Sequence, residues 1–273
     1  NFTNPYYSHI LAGIGDAARM LGYSVFICNE SETGAVQALI SSAVKDHRAD
    51  GVILLSNEYN ATWLQEYARH MPIVQCCEYA ESVALPHIAI DNYRAAYEAV
   101  EYLINLGHRQ IATISSSNAH ISTKLRYEGY CDALRAAGLE PVADYVVKAS
   151  PDYSYQSGYL LANKLFNLQA RPSAVFCISD ILALSAVAAA ADRGLSVPGD
   201  VSIMGFDDVG YTTMFHPYLS TIAQPCYEIG SKSMQTLHAF KASFPAVPEV
   251  EPMAYKLVLR ESTAPCKAVL PNA

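Results

Sequence analysis

The chain has 273 residues, of which 51% are hydrophobic and 16% are charged, and its formal net charge at pH 7 is −8. This length predicts two lobes of about 100 to 150 residues, and the composition excludes a disordered or collagen-like chain. The sequence has no cluster of lysine or arginine to supply the positive field that direct DNA binding needs. It also has no run of about 18 apolar residues, so no interaction with a membrane is predicted.

The first part of the sequence alternates between helical patterns and short apolar runs. Apolar residues recur at helical spacing from Ile10 to Leu21, after an Asn-Pro start, and predict a helix that ends at Gly22. The strands predicted next are 25–28, 52–55, 73–76 and 88–90, and the helices are 36–44, 62–70 and 93–106. Strands that are apolar throughout and separated by helices indicate parallel sheets covered on both faces.

The second part repeats this alternation. Its predicted strands are 111–114, 145–147, 174–178 and 201–206, and its predicted helices are 124–137, 155–168 and 181–193. The first helix of the chain has no strand before it, whereas a doubly wound sheet is normally started by a central strand. We therefore expect residues upstream of Asn1 to supply that strand, because a sheet without it would leave backbone groups unpaired.

The seven cysteines are odd in number, and most lie in apolar runs such as 25–28 and 175–177. This favours buried, reduced thiols in a cytosolic protein over disulfides. Neither a metal site nor a cofactor is expected, since the sequence has no zinc-type spacing, phosphate loop or nucleophile elbow. The Gly13-Ile14-Gly15 pair lies inside a predicted helix and does not indicate nucleotide binding, so no enzymatic activity is predicted.

Several segments resemble the effector-binding core of the LacI/GalR family of bacterial repressors. They are NPYY (4–7), ADGVI (49–53), IDN (90–92), LGHRQI (106–111), RPSAVF (171–176), SD (179–180), VPGDVS (197–202), GFDD (205–208), and QP (224–225) with EIG (228–230). They occur in the family's order over nearly the whole chain. Within the family, residues 85–92 and 221–230 are most similar to the cytidine-repressor branch.

The resemblance implies a periplasmic-binding-protein-like α/β fold, with two doubly wound parallel-sheet lobes joined by three crossovers. The expected N-terminal lobe is 1–106 plus 224–250, the expected C-terminal lobe is 107–223 plus 251–265, and 266–273 is a tail. Family members carry a helix-turn-helix headpiece before this core. We therefore expect operator DNA to be bound only through a module of about 60 residues that is absent from this sequence.

Two charged residues are the main candidates for the predicted ligand site. Ligands of parallel sheets bind beyond the carboxyl ends of the strands, and this rule selects residues near those ends. Asp207 follows such a strand and can accept two hydrogen bonds from vicinal hydroxyls of a sugar or ribose. Its alternative role is helix capping, for which Asp208 is the better candidate. Arg126 lies where the resemblance places a ligand-binding arginine, and it could balance Asp207; the alternative is a surface salt bridge.

Aromatic and polar side chains complete the predicted site. The resemblance directs Tyr6 and Tyr7 to the cleft, while Tyr59 and Tyr153 follow predicted strands; each of these tyrosines could instead serve packing, because the chain has 19. The remaining predicted ligand contacts are His120, Ser122, Ser179 and Gln224. We interpret Asp180 as a helix cap and His108 as structural.

The sequence thus predicts a cytoplasmic, homodimeric sensor that binds a small sugar or nucleoside effector in an interlobe cleft without transforming it. An apolar helix at 182–191 is suited either to dimerisation or to burial in the core. The alternative function is an exported sugar-binding protein of a transport system. Seven cysteines and the VPGDVS segment count against that alternative.

Overall fold

The structure is a computed structural model that describes residues 5–28, 35–46, 48–56 and 61–267. The chain forms two compact units, Asn1–Ile90 with Pro225–Ala254, and Asp91–Gln224 with Tyr255–Ala273. The chain therefore passes three times from one unit to the other. Each unit is built on its own parallel sheet.

The first unit contains a three-stranded parallel sheet in the order β1-β2-β3. Its strands are β1 (Val52–Leu54), β2 (Ile73–Cys76) and β3 (His87–Ile88), and its helices are α1 (Pro5–Met20), α2 (Ala35–Lys45), α3 (Ala61–Tyr67) and α8 (Cys226–Ser243). The strand predicted at 25–28 is wrong. Those residues join no sheet of the described chain, and Phe26 is 85% exposed, because no described strand offers partners for their backbone groups.

Helix α1 packs closely along α8, and glycine permits the contact. Ile10, Ile14 and Ala17 are buried on the face that the apolar spacing predicted. A Cβ on Gly13 would overlap the Tyr227 carbonyl, and one on Gly230 would overlap the backbone of Ile10. The absence of these two side chains lets the two backbones approach one another.

The second unit contains a four-stranded parallel sheet in the order β5-β4-β6-β7 and a separate antiparallel pair, β8-β9. The strands are β4 (Ile111–Ser116), β5 (Val146–Ala149), β6 (Ala174–Cys177), β7 (Ser202–Met204), β8 (Thr221–Ala223) and β9 (Lys256–Val258). The helices are α4 (Asn92–Asn105), α5 (Ile121–Ala136), α6 (Tyr155–Phe166) and α7 (Asp180–Asp192), with short 3₁₀ turns at Ala143–Tyr145 and Gly210–Thr213.

Helix α4 belongs to the second unit and not to the first lobe, in which the expected boundary after residue 106 places it. The helix packs along α5 through small buried residues, among them Ala95, Ala96 and Ala99. Gly129 of α5 faces the backbone of Tyr93, where a Cβ would have no room. The boundary differs because the sequence shows where a helix ends but not which neighbour its small-residue face meets.

His108 is structural, as predicted, and lies on the amino-terminal edge of the second sheet. Its Nδ1 is 2.9 Å from the Ser173 hydroxyl oxygen, and its Nε2 is 3.1 Å from that of Ser202. Burial lowers the pKa of this imidazole below its usual value. All seven cysteines lie among the described residues and are free thiols, four of them buried. None of the described helices is long and apolar enough to cross a membrane.

Candidate functional site

The four strands of the second sheet end at one edge, because β4, β5, β6 and β7 are all parallel. The segments that follow them carry most of the predicted ligand residues. Residues 117–126 follow β4, 150–154 follow β5, 178–180 follow β6 and 205–208 follow β7. The sequence rule that ligands bind beyond the carboxyl ends of strands therefore selects one surface of this unit.

Arg126 is buried in the first part of α5 and held in a fixed orientation. It is 6% exposed, its Nε donates to the Asn92 side-chain oxygen at 2.9 Å, and its Nη1 donates to the Ile178 carbonyl at 2.7 Å. The guanidinium carbon also lies 3.7 Å from the centre of the Phe206 ring. The surface salt bridge considered from the sequence is thus replaced by a buried, stacked cation.

Asp207 faces this cation from the turn after β7. One of its carboxylate oxygens lies 3.5 Å from Arg126 Nη1 and accepts a hydrogen bond of 2.8 Å from the Gln224 side-chain amide. Its backbone N–H donates to the Ile222 carbonyl, and its φ of +117° is a backbone conformation that residues other than glycine rarely adopt. The contacts with Gln224 and Arg126 hold the Asp207 side chain at the sheet edge, and the N-cap of the following described turn is Val209.

Asp208, which we considered as a cap, has a different partner. Its carboxylate lies 2.8 Å from the guanidinium of Arg260 and accepts a hydrogen bond from the Thr212 hydroxyl. The residue that caps the short turn Gly210–Thr213 is Val209. The two consecutive acids thus point to two different arginines.

The buried pair of Arg126 and Asp207 leaves donor capacity for a ligand. A guanidinium has five N–H groups, and those on Nε and Nη1 are used as described above. Within the described part of the chain, the Nη2 group of Arg126 donates to no residue. A fixed planar donor beside a carboxylate acceptor can bind a hydroxyl, a carbonyl or a carboxylate of a small polar molecule.

A second group of predicted residues lies beyond β4 and β5. The ring centres of His120 and Tyr153 are 6.4 Å apart, and the Tyr153 hydroxyl is 2.8 Å from the Thr123 hydroxyl. Ser122 is buried next to Thr123 in the first turn of α5. This arrangement combines two aromatic faces with hydroxyl groups, as sugar and nucleoside sites do.

The remaining predicted residues divide into three cases. The Ser179 hydroxyl accepts a hydrogen bond from the Leu182 N–H and caps α7, so the prediction that Asp180 is the cap is wrong. Tyr6 and Tyr7 open α1 in the first unit with ring centres 5.2 Å apart. Tyr59 lies outside the described residues. The ligand contacts assigned to these four residues stay predictions.

The structure adds two residues that the sequence reasoning missed, Asn92 and Phe206, and gives Asp180 a role other than the predicted cap. Asn92 holds Arg126 Nε, Phe206 stacks on the guanidinium, and Asp180 is a fully buried acid behind Asp207. Asn92 and Phe206 lie in segments 90–92 and 205–208, which carry the family resemblance, but the sequence predicted no role for either residue. Since α4 was placed in the first lobe, nothing in the sequence linked Asn92 to Arg126.

Asp180 has an unusual electrostatic environment. Its two carboxylate oxygens accept hydrogen bonds from the Thr221 hydroxyl at 2.6 Å and from the Val209 N–H at 2.9 Å. Burial, and then the nearby Asp207 carboxylate, raise the pKa of Asp180 well above its usual range. Among the residues that the structure describes, no group of three or more His, Cys, Asp or Glu side chains could hold a metal ion.

Comparison with known proteins identifies the family. Residues 1–247 match the family described as periplasmic binding proteins and the sugar-binding domain of the LacI family. The HTH-type transcriptional repressor CytR of Escherichia coli is 35% identical over 236 residues, which cover 86% of this chain and 68% of that protein. The chain belongs to the LacI family.

Solved structures of LacI-family regulators share this fold. The structure of a putative LacI transcriptional regulator from Bacillus cereus subsp. cytotoxis matches with a TM-score of 0.89 and 28% identity, covering 97% of this chain and 94% of that one. A LacI-family regulator from Enterococcus faecium, solved with bound ribose, matches with a TM-score of 0.84 and 27% identity, covering 98% and 97% of the two chains. The relatives are thus transcription regulators, and one of them was solved with a sugar.

Proposed function

We propose that this chain is the effector-sensing core of a LacI-family transcription repressor, and that a small sugar or nucleoside binds at the sheet edge formed by Arg126, Asp207 and Gln224. The observation that carries the proposal is the buried arginine fixed by Asn92 and Ile178 beside an acid in a rare backbone conformation. Fixed, desolvated polar groups cost stability and are typical of binding sites.

The other predicted contacts fit the same ligand class. His120, Ser122, Tyr153 and Ser179 follow strands of the same sheet edge, and we assign Tyr6, Tyr7 and Tyr59 to the effector on the family resemblance. The proposed site holds its ligand without chemical change, so we propose no enzymatic activity. We place the protein in the cytoplasm, with operator DNA reached through a helix-turn-helix module like the one named in CytR. The exported transport protein is disfavoured, because CytR is a transcriptional repressor.

A thermal-shift screen tests the proposed function. Ribose, glucose, cytidine and adenine represent the pentose, hexose, nucleoside and purine classes, and we expect one class to raise the melting temperature in a concentration-dependent way, because a ligand that binds the folded state stabilises it. Isothermal titration with the best probe then gives its affinity. If none of the four classes shifts the melting temperature, the proposed ligand class is wrong.

We also propose that the core forms a homodimer through the second unit. Exposed apolar side chains cluster in sequence just after the turn Gly210–Thr213, with Met214 59% and Phe215 71% exposed. Such side chains often mark protein interfaces. The helix favoured from the sequence, α7, buries Leu182, Ala186 and Ala190 within its own unit, so only its less buried face is available for a partner.

Replacing Phe215 by lysine is expected to convert the dimer into a monomer, because a charge at the centre of an apolar contact is left desolvated and unpaired. Sedimentation equilibrium measures the mass. Val142→Lys is the matched control, since Val142 is also an exposed apolar residue of the second unit and lies before β5. A wild-type protein that sediments as a monomer would contradict the dimer, and a dimeric Phe215→Lys variant would contradict the interface.

A further inference from the structure

The turn that carries Asp207 is joined to two other segments by one buried side chain, that of Asp180. This residue is 0% exposed and begins α7. Its carboxylate accepts from the Val209 N–H, two residues after Asp207, and from the hydroxyl of Thr221, the first residue of β8. Its own N–H donates to the Phe206 carbonyl at 2.8 Å. One aspartate therefore connects the start of α7, the Asp207 turn and β8.

These three segments carry the polar groups of the proposed site. Strand β8 leads directly into Gln224, whose amide binds Asp207. The Ile178 carbonyl, which anchors Arg126, lies two residues before Asp180. Gly205 leaves the room that the Asp180 carboxylate occupies, because a Cβ on Gly205 would overlap it. The contacts of Asp180 thus fix the relative positions of the acid, the amide and the arginine anchor.

We propose that Asp180 is a positioning residue, which sets effector affinity by fixing Asp207 and Gln224 without touching the effector. The inference rests on the proposed function for its binding consequence, but the geometry of Asp180 stands without a ligand. Asp180 and Asp207 also form a pair of neighbouring acids, in which the charge of Asp207 raises the pKa of Asp180.

The charge of Asp180 follows from its surroundings. Asp207 and Asp208 face it from the turn, and Cys177 lies near it on β6, where burial and the Asp180 carboxylate raise the pKa of the thiol. Arg126 and Arg260 are paired with Asp207 and Asp208. With its pKa raised by burial and by Asp207, Asp180 is neutral over a wider pH range than an ordinary aspartate. A protonated carboxyl group presents one acceptor oxygen and one donor group, as the asparagine amide does.

The first test compares affinities for the best probe of the thermal-shift screen among ribose, glucose, cytidine and adenine. We expect Asp180→Ala to weaken binding roughly tenfold or more, because it removes both side-chain hydrogen bonds that hold the Asp207 turn and β8, while Asp180→Asn stays within about threefold of the wild type. Thr221→Val, which removes only the hydroxyl donor, is expected to weaken binding, and Thr221→Ser to restore it. These Thr221 variants decide the question if Asp180→Ala does not fold.

A merely structural role gives a different pattern. In that case Asp180→Ala and Thr221→Val lower the urea midpoint, but the folded protein binds the probe with wild-type affinity, and this result would overturn the proposal. Rescue by Asp180→Asn and by Thr221→Ser is the outcome that supports positioning. The asparagine oxygen can accept from the Val209 N–H while its amide donates to the Thr221 hydroxyl, and serine keeps a hydroxyl at position 221.

A second test needs no ligand and separates this inference from the proposed function. The side-chain carboxyl ¹³C signal of Asp180 is assigned by its absence in Asp180→Asn and followed during a pH titration of the free protein. We expect a midpoint well above the ordinary value of about 3.9, and a downward shift in Asp207→Asn, where the neighbouring charge is gone. An ordinary midpoint, or no response to Asp207→Asn, overturns the proposed acid pair even if effectors bind.

Discussion

Replacing Arg126 by alanine is expected to abolish the ligand-induced thermal shift and to lower the free energy of unfolding by about 3–5 kcal/mol, because removing one partner of a buried ion pair leaves the other charge uncompensated. The carboxylate of Asp207 loses its buried cation, and the Asn92 side-chain oxygen and the Ile178 carbonyl each lose the hydrogen bond that Arg126 donates. Urea unfolding followed by circular dichroism measures the stability, and isothermal titration measures the binding.

Arg135 is the matched control for this experiment, because it lies on the same helix, α5, but pairs with Asp132 at the protein surface. Exposed ion pairs are screened by water and salt, so Arg135→Ala is expected to leave both stability and binding unchanged. Arg126→Lys separates charge from shape, since an ammonium keeps the charge but loses the planar fork of donors. If Arg126→Ala retains the full thermal shift, our assignment of the site is wrong.

The parts of the fold that sequence could predict are those fixed by local physics. Helix α1 was predicted from apolar spacing and its glycine stop, and the structure shows it at Pro5–Met20. The strands β2, β4 and β6 were found because residues buried on both faces of a parallel sheet form continuous apolar runs. The composition of such a run is enough to predict that the strand is buried.

The parts that sequence could not predict depend on distant partners. The apolar run 25–28 has strand composition, but a strand forms only where a neighbour accepts its hydrogen bonds, and no described neighbour does so. The packing partner of helix α4 could not be predicted for the same reason. The small residues on its buried face fit any close-packed helix, and only the fold places them against α5.

In the site, too, some residues could be predicted from local sequence and others could not. Asp207 and Arg126 were predicted because strand ends and family motifs mark them, and the structure brings them within 3.5 Å. The groups that hold them in place are distant in sequence. Asn92 lies 34 residues from Arg126, and Asp180 lies 29 residues from Val209, whose N–H it accepts in the Asp207 turn. Supporting residues of this kind have no local signature, because their role is defined only by what the folded chain places beside them.

Replacing Gly13 by alanine is expected to lower the free energy of unfolding by about 3 kcal/mol, at the upper end of what an overpacked contact costs. The new methyl group would overlap the Tyr227 carbonyl oxygen and crowd the Ser231 N–H, and both are backbone atoms of α8 that no side-chain rotation can move. Helices α1 and α8 would have to separate along a contact that buries Ile10 and Ile14. Urea unfolding measures the loss.

Gly15, two residues further along the same helix, provides the control that makes this result interpretable. Among the described residues outside its own helical turn, no atom lies within 4 Å of a Cβ built on Gly15. Gly15→Ala therefore meets no obstacle and is expected to stabilise the protein by roughly 0.5–1 kcal/mol through helix propensity. The sequence Gly13-Ile14-Gly15 cannot distinguish the two glycines, because only the position of α8 makes one essential. Equal effects of the two substitutions would contradict the close packing of α1 on α8.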